Sequence, residues 1–532
     1  MSESSPPASR RPRRVLDDWV PSGDYRLVLP AVTVWIITLA CLLGPPPIAR
    51  VLVMVCVLGC AGAGLALWRG WARWTTISFV VVVAGMGVVT AGALAVRLEA
   101  RSGHPLWQAD GKARIVGIIR DDAVSVGPAA ASMVRVRVDV TGVAGRSTVP
   151  MGAELTGAAA DWSELLPGQR FSVLVRVRPP RDGDLLVARL SASGARHTLG
   201  RPPPHQRLAG AVRARLQLIS ARALGPEAAG LFPGLVLGDT SSLDTRVRDD
   251  FRAAGLSHLL AVSGSNFAIV TGAVVMLVRA LGTSPRVTAV VGILIVVVFV
   301  ILVRPSPSVL RAAMMGTVGL LALAGSRRVH ALPALGAATV VGLLWWPDLA
   351  VAPGFALSVL ATAGLVLWSA SLRDWLRARR IPAGVAELLA MSLAAQLVTA
   401  PIIALLSGRF SVVALLANVL VVPVVGLVGI VGTAAAVIGS VGGADGPGAG
   451  CAELMVRALG PELWWMLTCA RFLGAQTWAT VSVPSGVVGA LVVGAVTLIV
   501  VVAVGAGTRY FPEGVRGLGR AVGSVWHDGR RG

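Results

Sequence analysis

A single lysine, Lys112, stands among 48 basic residues, so the basic charge of this chain is almost wholly arginine. Acidic charge is scarce too: 27 Asp and Glu leave a net charge of +21. No Gly-x4-Gly-Lys-Ser/Thr loop occurs, which excludes a phosphate-binding loop and with it an ATP-driven motor of that type inside the chain. The six histidines form no His-x-His-x-Asp cluster, and no metal site or cofactor is expected. Five cysteines (Cys41, Cys56, Cys60, Cys451 and Cys469) lie in or beside apolar segments without the paired spacing of a zinc site or a disulfide framework, and read as small buried hydrophobes. No short apolar core with a cleavage site follows the amino terminus, so no removable signal peptide is expected.

What the chain has in abundance is apolar residues. Of its 532 residues 55% are hydrophobic and the mean hydropathy is +0.74. Its apolar runs repeatedly reach the roughly 20 residues that cross a bilayer. This is the composition of a polytopic membrane protein. Residues 1–24, with Arg10, Arg11, Arg13 and Arg14, read as a disordered basic cytosolic tail. Three spans follow near 27–43, 49–68 and 76–96, within a first membrane unit at 25–96. With the tail and the loop bearing Arg69 and Arg73 inside, the third span delivers the chain to the outer face.

Between 97 and 205 the pattern changes to period-two alternation, the mark of half-buried strands. In MVRVRVDV (133–140) the valines take one face and Arg135, Arg137 and Asp139 the other. In FSVLVRVRPP (171–180) Phe171, Val173, Val175 and Val177 oppose Arg176 and Arg178. The spacing predicts a small all-β barrel or sandwich outside the membrane. A solvated strand face accounts for these arginines; the alternative is a nucleic-acid groove in which Arg135, Arg137, Arg176 and Arg178 follow a phosphate backbone. Trp107, Trp162 and Phe171 are too few to stack many bases, so such binding would be weak and blind to sequence. Next, RLAGAVRARLQLISARAL (207–224) spaces Arg207, Arg213, Arg215 and Arg222 as in a helix lying in the membrane interface.

A second membrane block, 206–508, offers spans at 256–280, 283–303, 309–325, 331–347, 350–369, 383–407, 411–440, 449–470 and 481–505, for about twelve in all. Nine crossings from outside place SRRVH (326–330), RDWLRARR (373–380) and the basic tail at 509–532 in the cytosol. The weak member is 449–470, where Glu453, Arg457 and Glu462 suit an interfacial helix. Polar and helix-breaking residues interrupt the spans: HLLAVSGSNFAIV (258–270), RPSPSVLRAAM (304–314), Gln396 ahead of Pro401, and Asn418 ahead of Pro423. A Ser or Asn bridging two helices, or a kink at a helix end, explains any one of them; four together favour a polar path through the bundle.

These residues also carry a resemblance. FRAAGLSHLLAVSGSNFAIV (251–270), preceded by LVLGDTSSLD (235–244), resembles the core motif of the ComEC family, the membrane channels of natural DNA uptake. The likeness continues in order through PSPSVLRAAMMG (305–316), GFALSVLATAGLVLW (354–368) and SLAAQLVTAPIIALLSGRFSVVALLANVLVVPVV (392–425). It implies a polytopic α-helical membrane protein with an OB-like β domain between its first helices and a channel block. Single-stranded DNA would pass the cytoplasmic membrane along a path lined or braced by His258, Ser263, Gly264, Ser265, Asn266, Arg304, Ser306, Arg311, Gln396 and Asn418. It implies partners in trans as well: membrane lipids, a DNA receptor, a cytosolic ATP-driven helicase, a separate nuclease, and a second copy if the channel is a homodimer. Two departures matter. Many members read Ser-Gly-Leu-His where this chain has Ser263, Gly264, Ser265 and Asn266, so a role needing an imidazole at 266 is absent. About 25 residues follow the last span, so the carboxy-terminal metallo-β-lactamase-like domain of longer members is expected to be missing.

Two other function classes fit less well. A small-solute transporter could use the same broken helices, although a β domain with an arginine face is unusual for one. Ala261-Val262-Ser263-Gly264 is one residue away from the Gly-x-Ser-Gly of intramembrane serine proteases. His258 lies nearly opposite Ser263 on a helix and His330 falls in a loop, so no catalytic residue is assigned and the chain is not expected to be an enzyme.

Overall fold

The computed structural model describes residues 25–69, 74–107, 109, 111–126, 133–181, 183–260, 264–325, 330–441 and 446–507. Both basic tails, Ser263 and most of the 326–330 loop lie outside the described residues, as do the side chains of Ser265 and Asn266. Three helices come first: α1 (Val28–Leu43), α2 (Ile48–Trp68) and α3 (Trp74–Ser102). The period-two segment then builds strands β1 (Gly111–Ile119), β2 (Val124–Val126), β3 (Met133–Val143), β4 (Arg146–Ala158), β5 (Arg170–Arg178), β6 (Arg189–Ala192) and β7 (His197–Thr198), with the short helix α4 (Ala159–Trp162) between β4 and β5.

Five of these strands close on themselves in the order β1-β3-β4-β6-β5 and back to β1. All pairings are antiparallel except β4 with β6. Closure removes the exposed edges that an open sheet would present, and the five-stranded barrel has the connectivity of the OB-like domain expected from the sequence. The alternation decides what faces inward. Val134, Val136, Val138 and Val140 of β3 and Phe171, Val173, Val175 and Val177 of β5 fill the interior with Trp162, which meets Phe171 edge to face at 5.1 Å.

The second block is helical: α5 (Pro204–Ala223), α6 (Pro226–Leu237), α7 (Thr245–Ala253), α8 (Gly264–Ala280), α9 (Pro285–Val303), α10 (Pro307–Ala324), α11 (Ala331–Trp345), α12 (Pro353–Ala378) and α13 (Ala383–Ser407). After strand β8 (Arg409–Ser411) come α14 (Ala414–Gly439), α15 (Pro447–Ala458) and α16 (Gly460–Gly474), then strand β9 (Thr480–Ser482), paired with β8, and α17 (Val487–Gly507). Among the described residues seven helices are long and apolar enough to cross a membrane (α2, α3, α9, α10, α12, α13 and α14), and five shorter apolar helices accompany them. The chain is a multi-pass membrane protein, and the twelve crossings expected from hydropathy are not all of spanning length.

Three differences from the sequence reading have clear causes. The expected span at 449–470 is two helices broken at Leu459 and Gly460, because Pro461 cannot continue the first of them. The span expected at 256–280 becomes helical only at Gly264; before it lie a left-handed Gly255 and a single 3-10 turn at Ser257–Leu259. Helix α5 does not lie free on a membrane surface. Its Ala209, Arg213, Leu216 and Ser220 are buried against neighbouring helices, and Arg213 turns inward to carboxylates.

Candidate functional site

The non-helical stretch after α7 is the centre of the candidate site. Ser411 donates its hydroxyl to the Ala253 carbonyl at 2.9 Å, and a Cβ added at Gly255 would collide with Ala414 at the start of α14. Gln396 of α13 donates to the Ser411 carbonyl at 3.5 Å, but its Oε1 has no partner. Thr271 Oγ1 on α8 and Asn418 Oδ1 on α14 are also buried without partners. Each such atom costs on the order of 1–3 kcal/mol in a protein interior; they lie on α13, α8 and α14, and α14 packs against both of the others. His258, in the 3-10 turn before α8, is exposed.

Arg311 approaches the same break from α10. Its Nε donates to Ser358 Oγ on α12 at 2.6 Å, its Nη1 reaches Met315 Sδ at 3.3 Å, and Nη2 lies against Gly264 at the start of α8. Gly264 and Arg311 therefore meet on the far side of the interruption, Gln396 joins the Ser411 turn that contacts its near side, and Asn418 is buried on α14. Ser358 and Ser411 complete the cluster and were missed, because single serines in apolar runs carry no signal until their helices are placed.

Arg304 and Ser306 belong elsewhere. Ser306 caps α10 by accepting from the Val309 amide at 3.4 Å. Arg304, held at φ +76° where side chains are strained, bonds Asp122 of the barrel and Gln206 of α5. Asp122 also meets Arg213 at 3.3 Å, and Arg213 reaches Asp239 at 3.5 Å and the carbonyls of Leu237 and Leu302. Gln217 donates to the same Oδ2 of Asp239, and the Ser241 hydroxyl donates to its Oδ1. This polar seam locks the barrel to the ends of α5, α6 and α9. A second seam ties it to α3: Arg101 donates to the Asp184 carbonyl and stacks over Trp107 at 4.4 Å. Burial pushes the Asp184 carboxyl up from its ordinary value, and Asp348 and Glu154 add to the effect. Burial also pushes His104 down, where Nδ1 accepts from the Leu106 amide and Nε2 has no partner.

On the barrel the expected arginines point outward from β3 and β5. The register sets Arg137, Glu154, Arg189 and Arg178 in one row across β3, β4, β6 and β5, and Arg135, Thr156, Ser191, Arg176 and Lys112 in the next. Because the strands close on themselves, each row follows the curve of the barrel's outer surface. Arg189, Lys112 and Arg114 were not singled out, because β6 and β1 lack the repeated Arg-Val alternation of β3 and β5. Glu154 tempers the cationic rows, 3.8 Å from Arg135.

A family model described as competence protein matches residues 235–507, just over half of the chain. The chain belongs to the competence protein family. ComE operon protein 3 of Bacillus subtilis (strain 168) is 30% identical over 200 residues, which is 38% of this chain and 25% of that protein. The match thus spans about a quarter of the relative's length. No solved structure matches the chain. The matched region begins at Leu235 and takes in every residue of the interrupted cluster, while the barrel and the first three helices lie before it.

Proposed function

We propose that this competence-family protein conducts single-stranded DNA across the cytoplasmic membrane, with the barrel on the extracytoplasmic side and about twelve crossings supplied by the long and the shorter apolar helices together. One observation carries the reading: Arg311, Gln396, Thr271 and Asn418 hold polar atoms deep among apolar helices, three of them without partners, in a bundle whose chain breaks before α8. Polar groups at membrane depth are costly and belong beside a hydrated path. The arginine face of the barrel would concentrate the strand at the mouth by releasing counterions. The path itself would bind weakly, because conduction needs sites that a ligand can leave. The chain's own part is passive and not enzymatic; pulling falls to an ATP-driven helicase in the cytosol, capture to a DNA receptor and any strand degradation to a separate nuclease.

The test is uptake of labelled DNA by a transformable strain deleted for the gene and complemented with wild type or with Asn418→Leu. DNA that reaches a nuclease-protected state but not the cytosol in the deletion, restored by wild type and reduced by Asn418→Leu, supports the channel. Unchanged cytosolic uptake in the deletion sinks it and moves a small-solute substrate to the front.

A further inference from the structure

Helix α12 carries no charged residue from position 353 to 372, about the 20 residues that cross the hydrocarbon of a bilayer. Its neighbour α13 is likewise free of charge from 388 to 408. The two pack closely at Gly364, so the hairpin between them, 373–387, emerges at headgroup depth. Arg373, Arg377, Arg379 and Arg380 stand there against only Asp374 and Glu387. Arg373 takes up Asp374 at 3.0 Å, while Arg377, Arg379 and Arg380 are exposed and pair with no carboxylate among the described residues. Two features show that this surplus is placed rather than scattered. Arg379 lies over the Trp375 ring, 3.9 Å from its centroid, which fixes a cation beside the aromatic type that marks membrane interfaces. Arg380 sits at φ +65°, where the Ile381 amide donates back to the Leu376 carbonyl at 3.3 Å. That left-handed position at a helix end is ordinarily glycine, because a side chain is strained there. An arginine serving the helix dipole alone could stand one turn earlier without strain, as Arg377 does.

We propose that this arginine collar is a binding surface for anionic phospholipid headgroups, with Arg379 and Arg380 meeting the phosphodiester and Arg377 adding charge at the same depth. The inference needs α12 and α13 to cross the bilayer and nothing of the DNA path. Depth decides the partner. Guanidiniums in the headgroup layer lie among lipid phosphates, whose oxygens accept two parallel N–H bonds from one arginine. Each cation held near an anionic surface adds to the attraction. A zwitterionic headgroup brings its own cation, which the collar repels, so selectivity for lipids of net negative charge follows. Beneath the turn Leu376, Ala386 and Ala390 are buried with Ile381 packed on them, so the cations stand on a fixed apolar base.

The experiment titrates the full-length protein in a nonionic detergent with phosphatidylglycerol or phosphatidylcholine and counts bound lipid by native mass spectrometry. Wild type should bind phosphatidylglycerol at least about tenfold more tightly than phosphatidylcholine, and Arg377→Gln, Arg379→Gln and Arg380→Gln together should erase that preference. The same loss of charge in and just after the barrel, by Arg146→Gln, Arg196→Gln and Arg201→Gln, should leave it intact. Arg380→Gly tests the collar even if the triple variant folds poorly. It relieves the strained turn, so the thermal unfolding midpoint without added lipid should hold or rise, while phosphatidylglycerol affinity falls about fivefold. Equal affinity for the two lipids in wild type, a preference that survives the triple substitution, or one lost equally in the barrel control overturns the site. Full phosphatidylglycerol affinity in Arg380→Gly does the same. A single-stranded oligodeoxynucleotide bound by wild type and lost from the triple variant, with lipid binding unaltered, overturns the lipid reading and assigns the collar to nucleic acid.

Discussion

Asp122 Oδ2 lies 3.0 Å from Arg304 Nε and 3.3 Å from Arg213 Nη2, so one carboxylate of the barrel holds two arginines of the helical block. Both arginine side chains are nearly buried, at 13% and 10% exposure, and Asp122 is at 33%. Removing the shared partner leaves two cations under-compensated, and breaking a buried pair costs about 3–5 kcal/mol; the partial exposure of Asp122 sets the lower end. Asp122→Asn should lower the thermal unfolding midpoint in detergent and expose the linker around 197–204 to proteolysis. An unchanged cleavage pattern would show that the barrel is held by the Arg101 seam alone.

His104 makes the other seam sensitive to acid. Burial holds its folded pKa below the ordinary 6.5, so the unfolded chain takes up the proton first as pH falls. The contribution of His104 is complete above pH 6.5 and is lost progressively below it, down to the depressed folded pKa. Unfolding profiles at pH 7.5 and 5 should differ in wild type, and His104→Phe should flatten that part of the difference. Asp184 runs in the opposite sense: its raised folded pKa means that stability falls as pH rises from its ordinary carboxylate value through the folded one. The two groups therefore favour different ends of the weakly acidic range.

Much of this arrangement was legible in the sequence, and the limits were physical. The period of two in MVRVRVDV and FSVLVRVR reported the inward valines because closure of a small barrel leaves no other place for them. Ser, Gly and Asn inside an apolar run marked the break before α8, since a bilayer tolerates such residues only with partners or water. By contrast, Asp122, Arg213 and Arg304 stand 91 residues apart in each step of the chain, and nothing local distinguishes a buried arginine from the many exposed ones. The charges Glu453, Arg457 and Glu462 already marked 449–470 as the weakest span, but only Pro461 marks where α15 and α16 part.

The barrel face yields a prediction about salt. Each phosphate contact on a single strand contributes about 0.7 to the slope of log affinity against log salt. Replacing Arg137, Arg178 and Arg189, three cations of one row, with glutamine should reduce that slope by about 2 for full-length protein in nanodiscs, with a similar loss for oligonucleotides of any sequence. A sequence-dependent loss would mean that bases are read on this face. An unaltered slope would return the row to a solvated strand surface.

Close helix contact is tested at Gly364 on α12, where a Cβ would fall 2.7 Å from the Ala394 carbonyl oxygen and 2.6 Å from Val398 Cγ2 on α13. A backbone oxygen cannot move aside as a flexible side chain can. Gly364→Val should cost about 1–3 kcal/mol by overpacking, whereas the same change at Gly272, with open space around it, should cost less than about 1 kcal/mol. Equal midpoints for the two variants would mean that α12 and α13 separate freely.

Gln396 separates a path-lining role from a bracing one. Its amide makes one long bond, 3.5 Å to the Ser411 carbonyl, and its Oε1 is buried without a partner. A side chain kept for stability would be a poor choice at such a place, because the unmet oxygen offsets what the single bond contributes. Gln396→Leu fills a similar volume and removes the unmet oxygen, so it should leave the unfolding midpoint unchanged or raise it by up to about 1 kcal/mol equivalent. If Gln396 faces a hydrated path, the same substitution dries the wall and lowers cytosolic DNA uptake even though the protein is no less stable. A loss of stability in proportion to the loss of uptake would instead make Gln396 a brace between α13 and the β8 turn, and the polar wall would then rest on Arg311, Thr271 and Asn418.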